Sequence, residues 1–292
     1  MTRFSFFLRL PMLLLAAHVY VAWRLAQAAS AGERGAIALA VAIVYGLILA
    51  GFSMRRSAGR PSGDLLAWAG FMALGLFSWL FVLTLLRDFA LLVWAVASHG
   101  FGAPPAAGFS AWSAAAVPIL AALAAIAGLF NARRTPPVKH VDIALPGLAP
   151  AWSGLRIVQL SDVHVGPTIK KGYVSRIVAA ANRLEPDVVA ITGDIVDGSV
   201  AQLAAHTAPL GSLRARHGVF AVTGNHEYYS GAAQWVAELR RLGITVLQNE
   251  HVVLQAGQAA LVLAGVTDFG AGAFDRAQAS DPQRAARGAP PG

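Results

Sequence analysis

Twenty residues without a charge separate Arg34 from Arg55, twenty-two separate Asp64 from Arg87, and twenty more run from Ala111 to Phe130. As helices rising 1.5 Å per residue, each is long enough to cross a hydrocarbon core of about 30 Å. Lipid offers the backbone no hydrogen-bond partners, so runs of this kind can cross only as helices. An earlier segment, 4–28, reaches the same length if Arg9 and Arg24 extend to the two interfaces. Its basic start, apolar stretch Leu10–Trp23 and Ala26-Gln27-Ala28 also fit a cleaved signal peptide. Read as a retained helix, it makes four spans, 4–28, 35–54, 65–86 and 111–130, in a membrane region covering 1–134. Behind Arg87-Asp88, Phe89–Ala97 reads as a separate apolar piece, closed by the breakers Gly100, Gly102, Pro104, Pro105 and Gly108. Arg87 and Asp88 read as an interfacial pair near a helix end, and His18 and His99 as structural.

Charge divides the chain in the same place. Residues 1–130 carry eight Arg and three acids, whereas the remainder carries fifteen Lys/Arg and twelve acids. The second part, 135–292, therefore reads as a soluble domain. A net charge of +8 raises the question of nucleic acid. No basic run is interleaved with aromatics, and cytoplasm-facing loops account for much of the excess, so no nucleic-acid partner is expected. Arg55, Arg56 and Arg60 follow the second span, and Arg133, Arg134 and Lys139 follow the fourth. The positive-inside rule puts both groups in the cytoplasm. The expected placement is an integral protein of the cytoplasmic membrane, with the lipid bilayer as partner and the soluble domain on the cytoplasmic side. The absence of cysteine excludes a disulfide framework and thiolate chemistry.

In the soluble part, Thr135-Pro136-Pro137 makes a stiff exit, and His140–Leu145 alternates as an edge strand does. Three apolar strand-like runs follow: Leu155–Asp162, Asp187–Thr192 and Gly218–Thr223. Between and after them, Lys170–Leu184, Gln202–Leu213 and Ala232–Leu242 read as helices, the last ended by Gly243. Ile244–Leu247, His251–Gln255 and Ala260–Val266 read as further strands. This β-α-β-α-β alternation implies a mostly parallel sheet with helices on its faces.

Each apolar run ends in side chains able to hold a metal. The first gives Asp162-x-His164, whose two side chains share one side of an extended backbone. The second gives Gly193-Asp194-Ile195-Val196-Asp197, and the third Gly224-Asn225-His226-Glu227. Ligands at the C-terminal ends of parallel strands are the layout of an active site on an α/β sheet. Three motifs, DxH, GDxxD and GNHE, in this order and about thirty residues apart, closely resemble those of the calcineurin-like metallophosphoesterases. The resemblance covers about Val138–Asp268.

It implies a four-layer αββα sandwich and two divalent metal ions drawn from Mn, Fe and Zn. Asp162 and His164 would hold the first ion, Asp194 would bridge both, and Asn225 would give its amide oxygen to the second. His226 would serve the leaving oxygen of a phosphoester, oriented by Asp197. Glu227 reads instead as a fold-stabilising acid, and His206 and His217 as surface residues. The implied activity is metal-dependent hydrolysis of phosphomonoesters, phosphodiesters or pyrophosphates, on a phosphorylated small molecule or a lipid-linked substrate. The family pattern continues with a further His and a Gly-His-x-His station, and neither occurs in this sequence. The expectation is a chain truncated ahead of them, possessing an incomplete ligand set. The other reading is a membrane protein whose degenerate phosphoesterase domain is a non-catalytic binding module.

Overall fold

The computed structural model describes residues 3–54, 61–101 and 108–290, in two compact units, Met1–Arg134 and Thr135–Gly292. The basic loop at Arg55, Arg56 and Arg60 and the breakers Gly102, Pro104 and Pro105 lie outside the described residues.

The first unit holds four long helices: α1 (Arg3–Ala26), α2 (Ala31–Met54), α3 (Pro61–Phe101) and α4 (Phe109–Arg133). Among the described residues, Ala31–Ser53, Gly63–His99 and Phe109–Arg133 are long and apolar enough to cross a membrane. The helix α1, with Arg9 and Arg24, is not among these three. Between α2 and α3 the backbones nearly touch. A Cβ added at Gly70 would sit 2.6 Å from Gly51 Cα and 2.6 Å from Leu47 O. Small residues at a crossing let helices in lipid gain van der Waals contact that bulkier ones would block.

One expectation fails here. The third span does not stop at residue 86; α3 runs unbroken through Arg87-Asp88 to Phe101. No proline interrupts it after Pro61, and its two central charges find partners on other helices. Asp88 accepts from Arg24 Nε at 2.5 Å and Nη2 at 2.6 Å, and from the Tyr20 hydroxyl at 2.5 Å. Arg87 donates to Ser113 Oγ at 2.9 Å and to the Ser110 carbonyl at 3.0 Å. Arg87 and Asp88 approach each other only to 3.4 Å. They are thus less a pair than two halves of a network tying α1, α3 and α4. His18 is buried with its ring stacked on Phe77 at 3.4 Å, an internal packing role.

The second unit is built on a four-stranded parallel sheet: β1 (Ile157–Leu160), β2 (Val188–Ile191), β3 (Val219–Ala221) and β4 (Thr245–Val246), in that spatial order. Ile157 pairs with Val188, Val189 with Val219 and Phe220 with Thr245. Apolar residues line both faces, as a sheet covered on two sides requires. Against one face lie α5 (Lys171–Asn182), α6 (Val200–Thr207) and, beyond the short α7 (Asn225–Ser230), α8 (Ala232–Arg241). Val174, Ile177, Leu203, Trp235 and Leu239 pack there with Val189, Ile191 and Val246. Over the other face lies an antiparallel hairpin, β5 (Glu250–Ala256) and β6 (Ala259–Gly265). Trp152, Val188, Phe220, Leu247 and Leu254 fill the space between the two sheets. The one-and-a-half-turn α9 (Pro282–Ala286) covers the hairpin, where His251 Nδ1 meets the Ala285 carbonyl at 2.7 Å. The layers therefore run helix, sheet, sheet, helix, with the last layer thin.

The segment His140–Leu145 is not a strand. Its apolar side chains are open to solvent, Ile143 to 76%. Alternation makes a strand only where a neighbour supplies hydrogen bonds, and none lies beside it among the described residues. The helix expected over Gln202–Leu213 stops at Thr207 and gives way to a 3-10 turn, Ala208–Ser212, because Pro209 lacks the N–H that would continue it.

Breaking the membrane network is the test of its weight. Asp88→Ala leaves two guanidinium groups short of their carboxylate and is expected to lower stability in detergent by about 3 kcal/mol. The Arg24→Leu/Asp88→Leu double variant should be more stable than Asp88→Ala. Circular-dichroism melts of the three proteins decide this.

Candidate metal centre

The three motif loops leave the C-terminal ends of β1, β2 and β3 and are knitted together by main-chain hydrogen bonds. Asp162 N donates to Gly193 O at 3.3 Å, His164 N to Asp194 O at 3.1 Å, and Val165 N to Ile195 O at 2.7 Å. Asp162, His164 and Asp194 all adopt positive φ, 56°, 49° and 53°. The strand has ended before them, so Asp162 and His164 converge through left-handed turns rather than as alternate residues of an extended chain. Left-handed backbone costs an L-residue roughly 1–2 kcal/mol and persists where the surroundings hold it.

Glu227 is what holds it. Its buried carboxylate accepts the N–H groups of Gly224 (2.7 Å), Asp194 (2.9 Å) and Ile195 (2.8 Å), with Val196 at 3.3 Å. One side chain thus satisfies donors from two motif loops. Burial pushes this carboxyl up from its ordinary range, and the N–H donors oppose that shift. The glycines permit the close approach. A Cβ on Gly193, where φ is 88°, would lie 2.4 Å from Gly224 N, and one on Gly224 would lie 2.3 Å from Asp194 Oδ1.

All six residues assigned from the sequence meet in this space. Atoms able to ligate a metal on Asp162, His164 and Asp194 lie within 4.8 Å of one another, as do those of His164, Asp197 and His226. Asp197 Oδ1 is 2.5 Å from His226 Nδ1, and its Oδ2 is 3.4 Å from His164 Nδ1. The two imidazoles stand edge to face, 4.5 Å between centroids. The His226 N–H donates to Asp194 Oδ1 at 2.9 Å.

Asn225 tests whether this set fits a cation. With its amide nitrogen turned toward Asp194, it donates to Oδ1 and Oδ2 at 3.2 and 3.1 Å. With its oxygen turned there instead, three oxygens converge, an arrangement that a cation among them would stabilise. Carboxylate, imidazole and amide oxygen together suit divalent metals from Mn to Zn, so the residues fit.

The sequence motifs point to these six residues but not to three aromatic neighbours. Tyr229 packs on His226 with centroids 5.5 Å apart, and Phe274 packs on both Tyr228 and Tyr229. The doubled tyrosine directly after Gly224-Asn225-His226-Glu227 was the available signal for two of them. His217 lies at the opposite end of the sheet, its ring against Trp152.

Strand ends that bring carboxylates, imidazoles and an amide to one point define an α/β domain with a candidate metal centre. Residues 155–274 match the model of the calcineurin-like phosphoesterase family, and the chain carries a domain of that family. Similar proteins include a zebrafish (Danio rerio) "transmembrane protein with metallophosphoesterase domain", 39% identical over 52% of this chain and 36% of its own length. The bovine (Bos taurus) protein of the same name is 42% identical over 49% of this chain and 34% of its own. A Helicobacter pylori metallophosphoesterase is 38% identical over 49% and 36%. The aligned stretch thus spans about a third of the length of these relatives. No solved structure matches the chain. With its three apolar helices, the chain is a membrane protein carrying a calcineurin-like phosphoesterase domain.

Glu227→Ala orphans three short N–H contacts and frees the left-handed turns. It is expected to destabilise the domain by about 3 kcal/mol and to weaken Mn²⁺ binding at least tenfold. Urea unfolding and titration calorimetry measure the two effects. Unchanged metal affinity would mean that the loops are held by something else.

Proposed function

We propose that this domain is a metal-dependent phosphoesterase that hydrolyses phosphomonoester, phosphodiester or pyrophosphate bonds with two divalent cations. The observation that carries this reading is the position of Asp197, bonded to His226 Nδ1 and also in reach of His164. Asp162 and His164 would hold one cation, Asp194 would lie between both, and Asn225 would supply its oxygen to the second. When bound, such a pair lowers the pKa of a water and neutralises charge on the phosphoryl oxygens. The chain's own residues do the rest. Asp197 fixes the His226 ring by Nδ1, which leaves Nε2 as the nitrogen that passes a proton to the leaving oxygen. Asp194 anchors the same residue from the main-chain side by accepting its N–H.

The basic residues Arg55, Arg56, Arg60, Arg133, Arg134 and Lys139 support a cytoplasm-facing domain. The apolar helices support a substrate at the membrane surface, such as a lipid-linked phosphoester. Mn, Fe or Zn each suits the ligand set.

Hydrolysis of p-nitrophenyl phosphate and its bis-ester by the detergent-solubilised chain, with Mn²⁺ added, tests the reading. Activity should depend on the metal and vanish in Asp194→Ala. His226→Gln should lower kcat by roughly 10²–10⁴-fold while metal affinity changes little. A chain that binds Mn²⁺ but hydrolyses neither ester would be a binding module instead.

A further inference from the structure

His226 and Tyr229 are one helical turn apart on α7 and so lie on one face. Tyr229 sets its ring edge-on to the His226 imidazole, 5.5 Å between centroids at 71°. Phe274 continues the surface, edge-on to Tyr229 at 5.5 Å and 64°. Both rings are open, Tyr229 to 64% and Phe274 to 54%.

These rings are held in place by what lies beneath them. Tyr228, the neighbour of Tyr229, is buried and bonds its hydroxyl to Thr223 Oγ1 at 3.2 Å. Ala271 is wholly buried against Tyr228 and Ala232 and pins the loop that carries Phe274. In that loop Gly270 N donates to Asp268 Oδ1 at 2.7 Å, and Phe274 N donates to Ala271 O at 3.0 Å. A fixed apolar shelf therefore begins at the ring edge of His226.

We propose that Tyr229 and Phe274 form the leaving-group subsite, and that the preferred substrate is a phosphoester whose leaving alcohol has an apolar body close to the ester oxygen. This rests on the phosphoesterase reading, in which His226 faces the leaving oxygen. Whatever that oxygen carries extends past His226, and the surface met there is aromatic. An apolar group covering the two rings removes hydrocarbon and ring surface from water on both sides. A bare pyrophosphate has no apolar surface to set against them.

Titration calorimetry with the Mn²⁺-loaded full chain in detergent tests the subsite without turnover. Phenylphosphonate should bind about tenfold tighter than methylphosphonate, with butylphosphonate separating ring stacking from plain apolar contact. Tyr229→Ala combined with Phe274→Ala should erase the preference for the phenyl compound, and Tyr229→Phe should keep it. Equal affinity of the unsubstituted chain for phenyl- and methylphosphonate overturns the subsite and leaves the phosphoesterase reading standing. Failure of both compounds to bind overturns the two together. If the double variant loses methylphosphonate as well, Tyr229 merely props His226, and the subsite is overturned.

Discussion

The centre rests on one buried carboxylate. Glu227 accepts main-chain N–H groups from the Gly224 turn and from Asp194 and Ile195, so the second and third motif loops share a single anchor. Through the Asp162–Gly193 and His164–Asp194 hydrogen bonds, the first loop is fastened to the second. Three residues in left-handed conformations are thereby held where their side chains meet. The strain is local and small, and the network opposing it reaches from β1 to α7. Glycine at 193 and 224 is a condition of the arrangement, since a methyl group at either would drive the two turns apart.

Much of this was legible in the sequence because it is local. Asp162, His164, Asp194, Asp197, Asn225 and His226 follow directly on apolar runs, and strand ends place them without knowledge of the sheet order. The parallel sheet was legible for the same reason, since β-α-β alternation admits few other arrangements. What escaped depends on distant partners. The segment His140–Leu145 alternates like a strand, yet strand formation is decided by a neighbour that local pattern does not contain. Arg87-Asp88 looks like the end of a span to any reading that treats charge as a boundary. The helix passes through because Arg24, Tyr20 and Ser113 come from other helices. Phe274 joins the site from a loop nearly fifty residues beyond the last motif, and no spacing rule connects it to His226.

The two units solve the burial of charge by different means. In the membrane unit the Arg24 guanidinium meets the Asp88 carboxylate directly, and Ser113 Oγ and the Ser110 carbonyl accept from Arg87. In the α/β unit the buried Glu227 has main-chain N–H groups as its partners rather than a basic side chain. Asp162, Asp194 and Asp197 are gathered at the strand ends with two imidazoles among them.

Asp197 has one further consequence. Its two oxygens are a fixed distance apart, and one meets His226 while the other approaches His164. One carboxylate thus stands between the ring beside Asp162 and the ring beside the aromatic shelf. The side-chain torsions of Asp197 therefore set its contact with both rings at once.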